Sequence, residues 1–203
     1  TLLDDPGAPL IMGVDVARQG DDETVVRFRR GRDARTLPPI RYKNRDNMFI
    51  ANECAKIIDT YRPDAVNIDS GAGAGVIDRL KEMGYQVFEV KFGESSSNDQ
   101  WQYKRTEMYA DLRDWLSGGC IDADPRLFGD LTTVEAREYG KEGDKTILQS
   151  KDEMRRLGYR SPDDGDALAM TFARKVSRKD LATSRRVLKR AKDLDYSVFD
   201  VGS

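Results

Sequence analysis

The sequence predicts an α/β domain: a mixed sheet, begun by an antiparallel three-strand meander and continued by parallel strands, with helices on its faces. Three observations carry this. Extended apolar runs joined by short polar turns fill the stretch from Leu10 to Lys43. Helical and short strand-like segments then alternate from Asn47 to Phe92, the pattern of crossover units. The chain of 203 residues is 38% hydrophobic and 34% charged, enough for one core under a highly charged surface.

Leu10–Ala17 reads as the first strand, with Met12, Val14 and Val16 on one face and Ile11, Gly13, Asp15 and Ala17 on the other. Arg18–Asp22 is a polar turn. Glu23–Arg30 is the second strand, with Val25, Val26 and Phe28 apolar. Thr36–Lys43 is the third, and Pro38-Pro39 assigns it to an edge or a bulge, because proline has no N–H for a ladder. Ile50, Cys54, Ile57, Ile58 and Tyr61 recur at helical spacing, which predicts a helix over Asn47–Tyr61 ended by Pro63. Ala65–Asp69 has the look of a central buried strand. Ala74–Met83 is a helix closed by Gly84, and Tyr85–Phe92 a further strand.

Gly93–Gln100 is polar, serine-rich and aperiodic, and reads as a mobile loop. Tyr103–Leu116 is an amphipathic helix with Met108, Leu112, Trp115 and Leu116 on one side, stopped by Ser117-Gly118-Gly119. Asp124–Ala136 is helical with Pro125 in its first turn. Glu138–Gly140 and Lys145–Leu148 flank a hairpin turn at Lys141–Asp144. Ser150 caps a short helix, Lys151–Leu157, and Ser161 caps a last helix, Pro162–Val176. Residues 1–9 read as a linker, 10–176 as the domain, and 177–203 as a tail that runs from basic to acidic. A start at Thr1 rather than Met reads as a piece of a longer protein.

Composition narrows the function. No apolar run approaches about 18 residues, so the sequence predicts no membrane span or membrane partner. Cys54 and Cys120 lie far apart without a CxxC pattern, and read as thiols in a reducing compartment. A net charge of −2 gives no overall pull on nucleic acid, so any such contact must be local.

The chain has no histidine, yet single aspartates stand at three structured positions. Asp15 lies in the first strand, Asp69 ends a buried strand before a glycine-rich stretch, and Asp166 lies early in the last helix. Oxygen ligands without imidazole suit Mg²⁺ or Mn²⁺, and such ions support displacement at phosphorus. Each acid also has a plainer account. Asp15 fits a solvent-facing strand position, Asp69 an N-cap, and Asp163, Asp164 and Asp166 the helix-start preference of acids. Asp163 and Asp166, three apart, share a face, and Asp164 points elsewhere. Gly71, Gly73 and Gly75 fit a tight strand-to-helix turn better than a phosphate cradle.

The motifs, taken in order, resemble the C-terminal nuclease domain of the large terminase subunit of tailed bacteriophages. They are Gly13-Val14-Asp15-Val16-Ala17 with Gly20-Asp21-Asp22-Glu23-Thr24, then Asn67-Ile68-Asp69-Ser70-Gly71-Ala72-Gly73-Ala74-Gly75. Lys104-Arg105-Thr106-Glu107-Met108-Tyr109, Ser150-Lys151-Asp152-Glu153-Met154 and Ser161-Pro162-Asp163-Asp164-Gly165-Asp166-Ala167 complete the series. The Asp164-Gly165 pair departs from the apolar-Ala pair expected there. The resemblance implies a ribonuclease H-like fold and an endonuclease that cuts concatemeric double-stranded viral DNA during packaging. It implies Asp15, Asp69 and Asp166 as metal-binding and catalytic acids, Asp163 as an auxiliary, and two Mg²⁺ or Mn²⁺ ions as cofactors. The implied partners are double-stranded DNA, the ATPase domain of the parent chain, the small terminase subunit and the portal protein, in the host cytoplasm. No G-x-x-x-x-G-K-[ST] motif occurs, so this sequence does not itself supply the ATPase. Lys104 and Arg105, beside Trp101 and Tyr103, and Lys151 are the candidate DNA contacts.

Two other classes remain open at this level. Gly13-Val14-Asp15 and Asp69-Ser70-Gly71 also resemble the phosphate loops of actin-like and sugar-kinase-like nucleotide-binding domains, although 203 residues are too few for that two-lobed fold. A non-catalytic docking module, with the tail as its contact, is the other.

Overall fold

The computed structural model describes residues 5, 7–17, 23–141 and 143–178. The predicted turn at Arg18–Asp22 and the tail beyond Arg178 lie outside the described residues.

Strand β1 (Leu10–Asp15) is buried along its whole length. It pairs antiparallel with β2 (Glu23–Arg30) and parallel with β5 (Ala65–Asp69), which pairs parallel with β6 (Phe88–Val90). Beyond β2 lie β3 (Asp33–Ala34) and β4 (Ile40–Lys43), both antiparallel to it, and β7 (Cys120–Ile121) runs parallel to β3. The result is a seven-stranded mixed sheet, as expected. β4 pairs only with β2, as an edge strand, and begins after Pro38-Pro39 rather than before them. β3 and β7 were not predicted: each has two residues, too short for a period-2 pattern.

Helices cover both faces. Met12, Val14, Val16 and Ile68 pack under α1 (Asn47–Tyr61) and α2 (Ser70–Glu82). On the other face, Ala34 and Val90 meet α3 (Lys104–Leu116), α4 (Pro125–Thr133), α6 (Asp163–Ala169) and a 3₁₀ turn, Met170–Phe172. The two strand faces read from the sequence are therefore both interior. Strands β8 (Ala136–Tyr139) and β9 (Lys145–Leu148) form a separate hairpin, and α5 (Lys151–Arg156) follows, with Ser150 Oγ accepting from the Glu153 N–H.

Several boundaries differ from expectation, and the strand expected over Tyr85–Phe92 is confined to Phe88–Val90. α2 starts directly at Ser70, four residues early, because its glycine-bearing first turns fit against Val16 and Ile68. α4 ends at Thr133, and Ala136 joins the hairpin instead. α6 ends at Ala169, and Pro162 rather than Ser161 occupies its N-cap position, with no side-chain cap bond. The stretch 93–100 is a loop with defined ties: Glu107 accepts from the Ser96 hydroxyl at 2.7 Å and the Ser97 N–H at 2.9 Å. No described helix is long and apolar enough to cross a membrane.

Candidate active site

β1 and β5 run parallel with Gly13 opposite Asn67 and Val14 opposite Ile68. Their last residues, Asp15 and Asp69, therefore emerge at the same end of the sheet, the end where ligands gather in α/β proteins. α6 reaches that end by lying close on β1: a Cβ at Gly13 would collide with the Ala167 carbonyl. This contact carries Asp163 and Asp166 in from about 150 residues downstream of Asp15. A cleft of about 350 Å³ opens there, lined among others by Asp15, Asp69, Asp163, Lys151, Ser70 and Phe92. Asp166 stands behind it, fully buried.

Lys151, third residue after the hairpin strand β9, puts its ammonium among these acids. Nζ lies 3.1 Å from Asp15 Oδ2 and 2.9 Å from Asp166 Oδ2. Asp166 Oδ1 accepts from Arg105 Nε and from the Tyr109 hydroxyl, each at 2.9 Å. Asp163 Oδ2 accepts from the Glu23 N–H at 3.1 Å. Asp15 and Asp166, both buried, respond in opposite ways. Burial pushes the Asp15 carboxyl well above the usual carboxylate range; Lys151 draws it back, while Asp166, Asp163 and Asp69 add to the rise. Burial also opposes ionisation of Asp166, but the Arg105 and Lys151 charges outweigh it and hold this carboxyl low. Asp69 is raised, first by burial, against the N–H groups of Gly71 and Ala72 and the Lys151 charge. It occupies the N-cap position of α2 without a side-chain cap bond. The Lys151 ammonium is held protonated: burial lowers its pKa, and Asp15 and Asp166 more than reverse this.

No family model matches the chain, and no curated protein matches it. Solved structures do. The nuclease domain of the large terminase subunit gp2 of bacterial virus Sf6 superposes with a TM-score of 0.73 at 20% identity, covering 87% of this chain and 92% of that one. The fold is that of phage terminase nuclease domains. A mutant of the Sf6 domain with manganese and beta-thujaplicinol gives 0.70 at 20% identity over 85% and 91% of the two chains. The large terminase nuclease from thermophilic phage G20c with bound magnesium gives 0.58 at 13% identity over 84% and 83%.

Within this terminase nuclease fold, the three acids at the start of α6 take separate duties. Asp163 borders the cleft and Asp166 backs it. Asp164, as expected, turns elsewhere. Its carboxylate meets Arg27 Nε at 2.8 Å and Arg41 Nη2 at 2.6 Å, in a cluster that includes Asp122 and Asp124. The backbone N–H groups of Asp164 and Gly165 donate to Asp130, which also holds Arg160. Sequence reasoning missed this cluster. Its one local signal was Arg27, a lone charge inside the apolar strand Val25–Phe28.

The predicted DNA contacts divide. Lys151 stands on the cleft. Lys104 pairs with Glu107 at 2.7 Å and lies outside the cleft lining. Arg105 is corrected: it is 8% exposed and turns inward, donating to Asp166 and to the Gln149 carbonyl at 2.9 Å. The reason is helical phase, since Arg105 shares the buried side of α3 with Met108 and Leu112. The glycine stretch is also corrected. Gly71, Gly73 and Gly75 lie inside α2, so it is neither a phosphate cradle nor a turn, and the nucleotide-binding reading loses its second loop.

Among the described residues, no three His, Cys, Asp or Glu side chains stand ready to hold a metal ion as they lie. Lys151 supplies the reason, its ammonium filling the space between Asp15 and Asp166 with the positive charge they require. The donor set nevertheless suits a hard cation. Asp166, Asp163 and Asp69 add to the cost of ionising Asp15, and no softer ligand stands among the described cleft residues.

Proposed function

We propose that this domain is a divalent-metal-dependent endonuclease that hydrolyses double-stranded DNA, cutting concatemeric viral genomes during packaging. One observation carries the reading: Asp15, Asp69, Asp163 and Asp166, from three distant parts of the chain, converge on one cleft. Support comes from solved nuclease domains of the same fold, one with manganese and beta-thujaplicinol and one with bound magnesium.

Asp15, Asp69 and Asp166 would hold Mg²⁺ or Mn²⁺, two ions in this reading, and Asp163 would assist. Bound divalent ions supply Lewis acidity for displacement at a phosphodiester. The chain's own contribution is placement. The ends of β1 and β5 fix Asp15 and Asp69 on a rigid sheet, and Arg105 holds Asp166 ionised for ligation. Lys151 balances Asp15 and Asp166 and presents a cation to a DNA phosphate at the cleft. The overall charge of −2 leaves DNA affinity to this local patch and the ions. The partners follow from the same reading: duplex DNA, the ATPase domain of the parent chain, the small terminase subunit and the portal, with the host cytoplasm as the place of action.

A plasmid-cleavage assay titrated with Mg²⁺ and Mn²⁺, on wild type and Asp69→Ala, tests it. Wild type should nick and linearise plasmid only with metal, and Asp69→Ala should not. Equal cutting by both proteins, or cutting in excess chelator, would remove the proposal.

A further inference from the structure

We propose that Arg105 and Tyr109 are positioning residues that clamp Asp166 for metal binding, and that Gly165 exists to admit the Tyr109 hydroxyl. The inference rests on the nuclease reading and names the residues that set one ligand's geometry.

Asp166 is fully buried, and its two oxygens have different surroundings. Oδ1 takes two donors, Arg105 Nε and the Tyr109 hydroxyl, both at 2.9 Å. Oδ2 faces the cleft lysine at 2.9 Å. Two donors on one oxygen fix the carboxylate's rotation and direct its other oxygen, buried and without a hydrogen bond among the described residues, toward the Lys151 ammonium. Arg105 has a second grip. Its Nη1 donates to the Gln149 carbonyl at 2.9 Å, two residues before Lys151. A single guanidinium thus joins the acid on α6 to the entry of α5, the helix that carries Lys151, and sets their separation.

Tyr109 follows Arg105 by four residues on α3, one helical turn away, and the Arg105 guanidinium lies 5.2 Å from its ring. Its hydroxyl reaches Asp166 only because position 165 has no side chain. A Cβ there would stand 2.8 Å from Tyr109 Oη and 3.1 Å from Asp130 Cβ. The glycine that departs from the motif pattern therefore has a structural reason in this chain, and the tyrosine supplies it.

Tyr109→Phe keeps the ring and removes one hydrogen bond. The test measures Mn²⁺ affinity by calorimetry, the Mn²⁺-induced rise in Tm, and plasmid cleavage, all on the full chain. Carboxylate ligands commonly lose about tenfold in metal affinity when such a partner is removed. Tyr109→Phe should weaken Mn²⁺ binding by roughly that factor and slow cleavage, with the metal-free Tm almost unchanged. Arg105→Lys should have a larger effect. Gly165→Ala should mimic Tyr109→Phe, and the double variant should be no worse than either single one. The clamp is wrong if Tyr109→Phe binds Mn²⁺ and cuts like wild type, even at a lower metal-free Tm; this outcome leaves the nuclease reading intact. A wild type that neither binds Mn²⁺ nor cuts overturns that reading, and the clamp with it.

Discussion

Two charged clusters, centred two residues apart in sequence on the first turn of α6, are built on opposite terms. Around Asp164, arginines and aspartates alternate. Arg27 and Arg41 share Asp164 and Asp124, Arg27 also reaches Asp122, and Arg160 holds Asp130. Around Asp166, four acids meet two cations, and the unbalanced acids line an open cleft. The pKa directions record the contrast. Asp124 is held low: burial opposes this, but the Arg41 bond and charge prevail. Asp15 is pushed up by burial and by its acidic neighbours. A matched cluster stabilises the fold, whereas an unmatched one stores repulsion that a bound cation can relieve.

Arg27→Ala should break the matched cluster most severely. It leaves Asp164 buried with one partner fewer, and uncompensated buried charge costs about 3–5 kcal/mol. Urea denaturation would measure it, and a loss under about 1 kcal/mol would show that the cluster is not structural.

Asp166→Asn tests where the boundary between the clusters lies. Its carboxylate is the best compensated of the cleft acids, so neutralising it strands Arg105. The expected loss is about 2–3 kcal/mol in the metal-free protein, together with loss of cleavage. A stabilised Asp166→Asn would place Asp166 among the repelling acids instead.

Glu107 is a third kind of acid, satisfied by local bonds alone, and it separates pairing from repulsion by pH. Burial would raise its pKa, but Lys104, Ser96 and the Ser97 N–H lower it from 4.5 to about 2. The stability it contributes is thus present above about pH 4.5 and is lost as pH falls through about 2. Glu107→Gln should cost on the order of 1–2 kcal/mol at pH 7, and the gap to wild type should close towards pH 2. A gap that stays constant with pH would mean that the carboxylate charge is not what holds the 93–100 loop.

Asp15→Asn should have the smallest effect on stability. It removes a charge that burial and three other acids disfavour, at the cost of one ion pair with Lys151. Metal-free stability should change by less than about 1 kcal/mol, or rise, while cleavage disappears. A loss comparable with that of Arg27→Ala would make Asp15 a structural acid.

Local pattern alone determined much of this molecule. Glu23–Arg30, Asn47–Tyr61 and Ala65–Asp69 have the predicted limits, because alternation, helical spacing and a flanking proline act within a few residues. The hairpin and the Ser150 cap were legible for the same reason, as were the places of Asp69 at a strand end and Asp166 near a helix start. Tertiary structure decided the rest. β3 and β7 exist only because each finds a partner across the sheet. α2 begins at Ser70 because β1 and β5 offer it a surface close enough for glycine. Most of all, the inward turn of Arg105, the reach of Lys151 into the acids and the separation of Asp164 from Asp166 depend on charges brought together from as far as 137 positions apart. Burial removes water from such charges and forces each to find its partner, and no local pattern records which partner that will be.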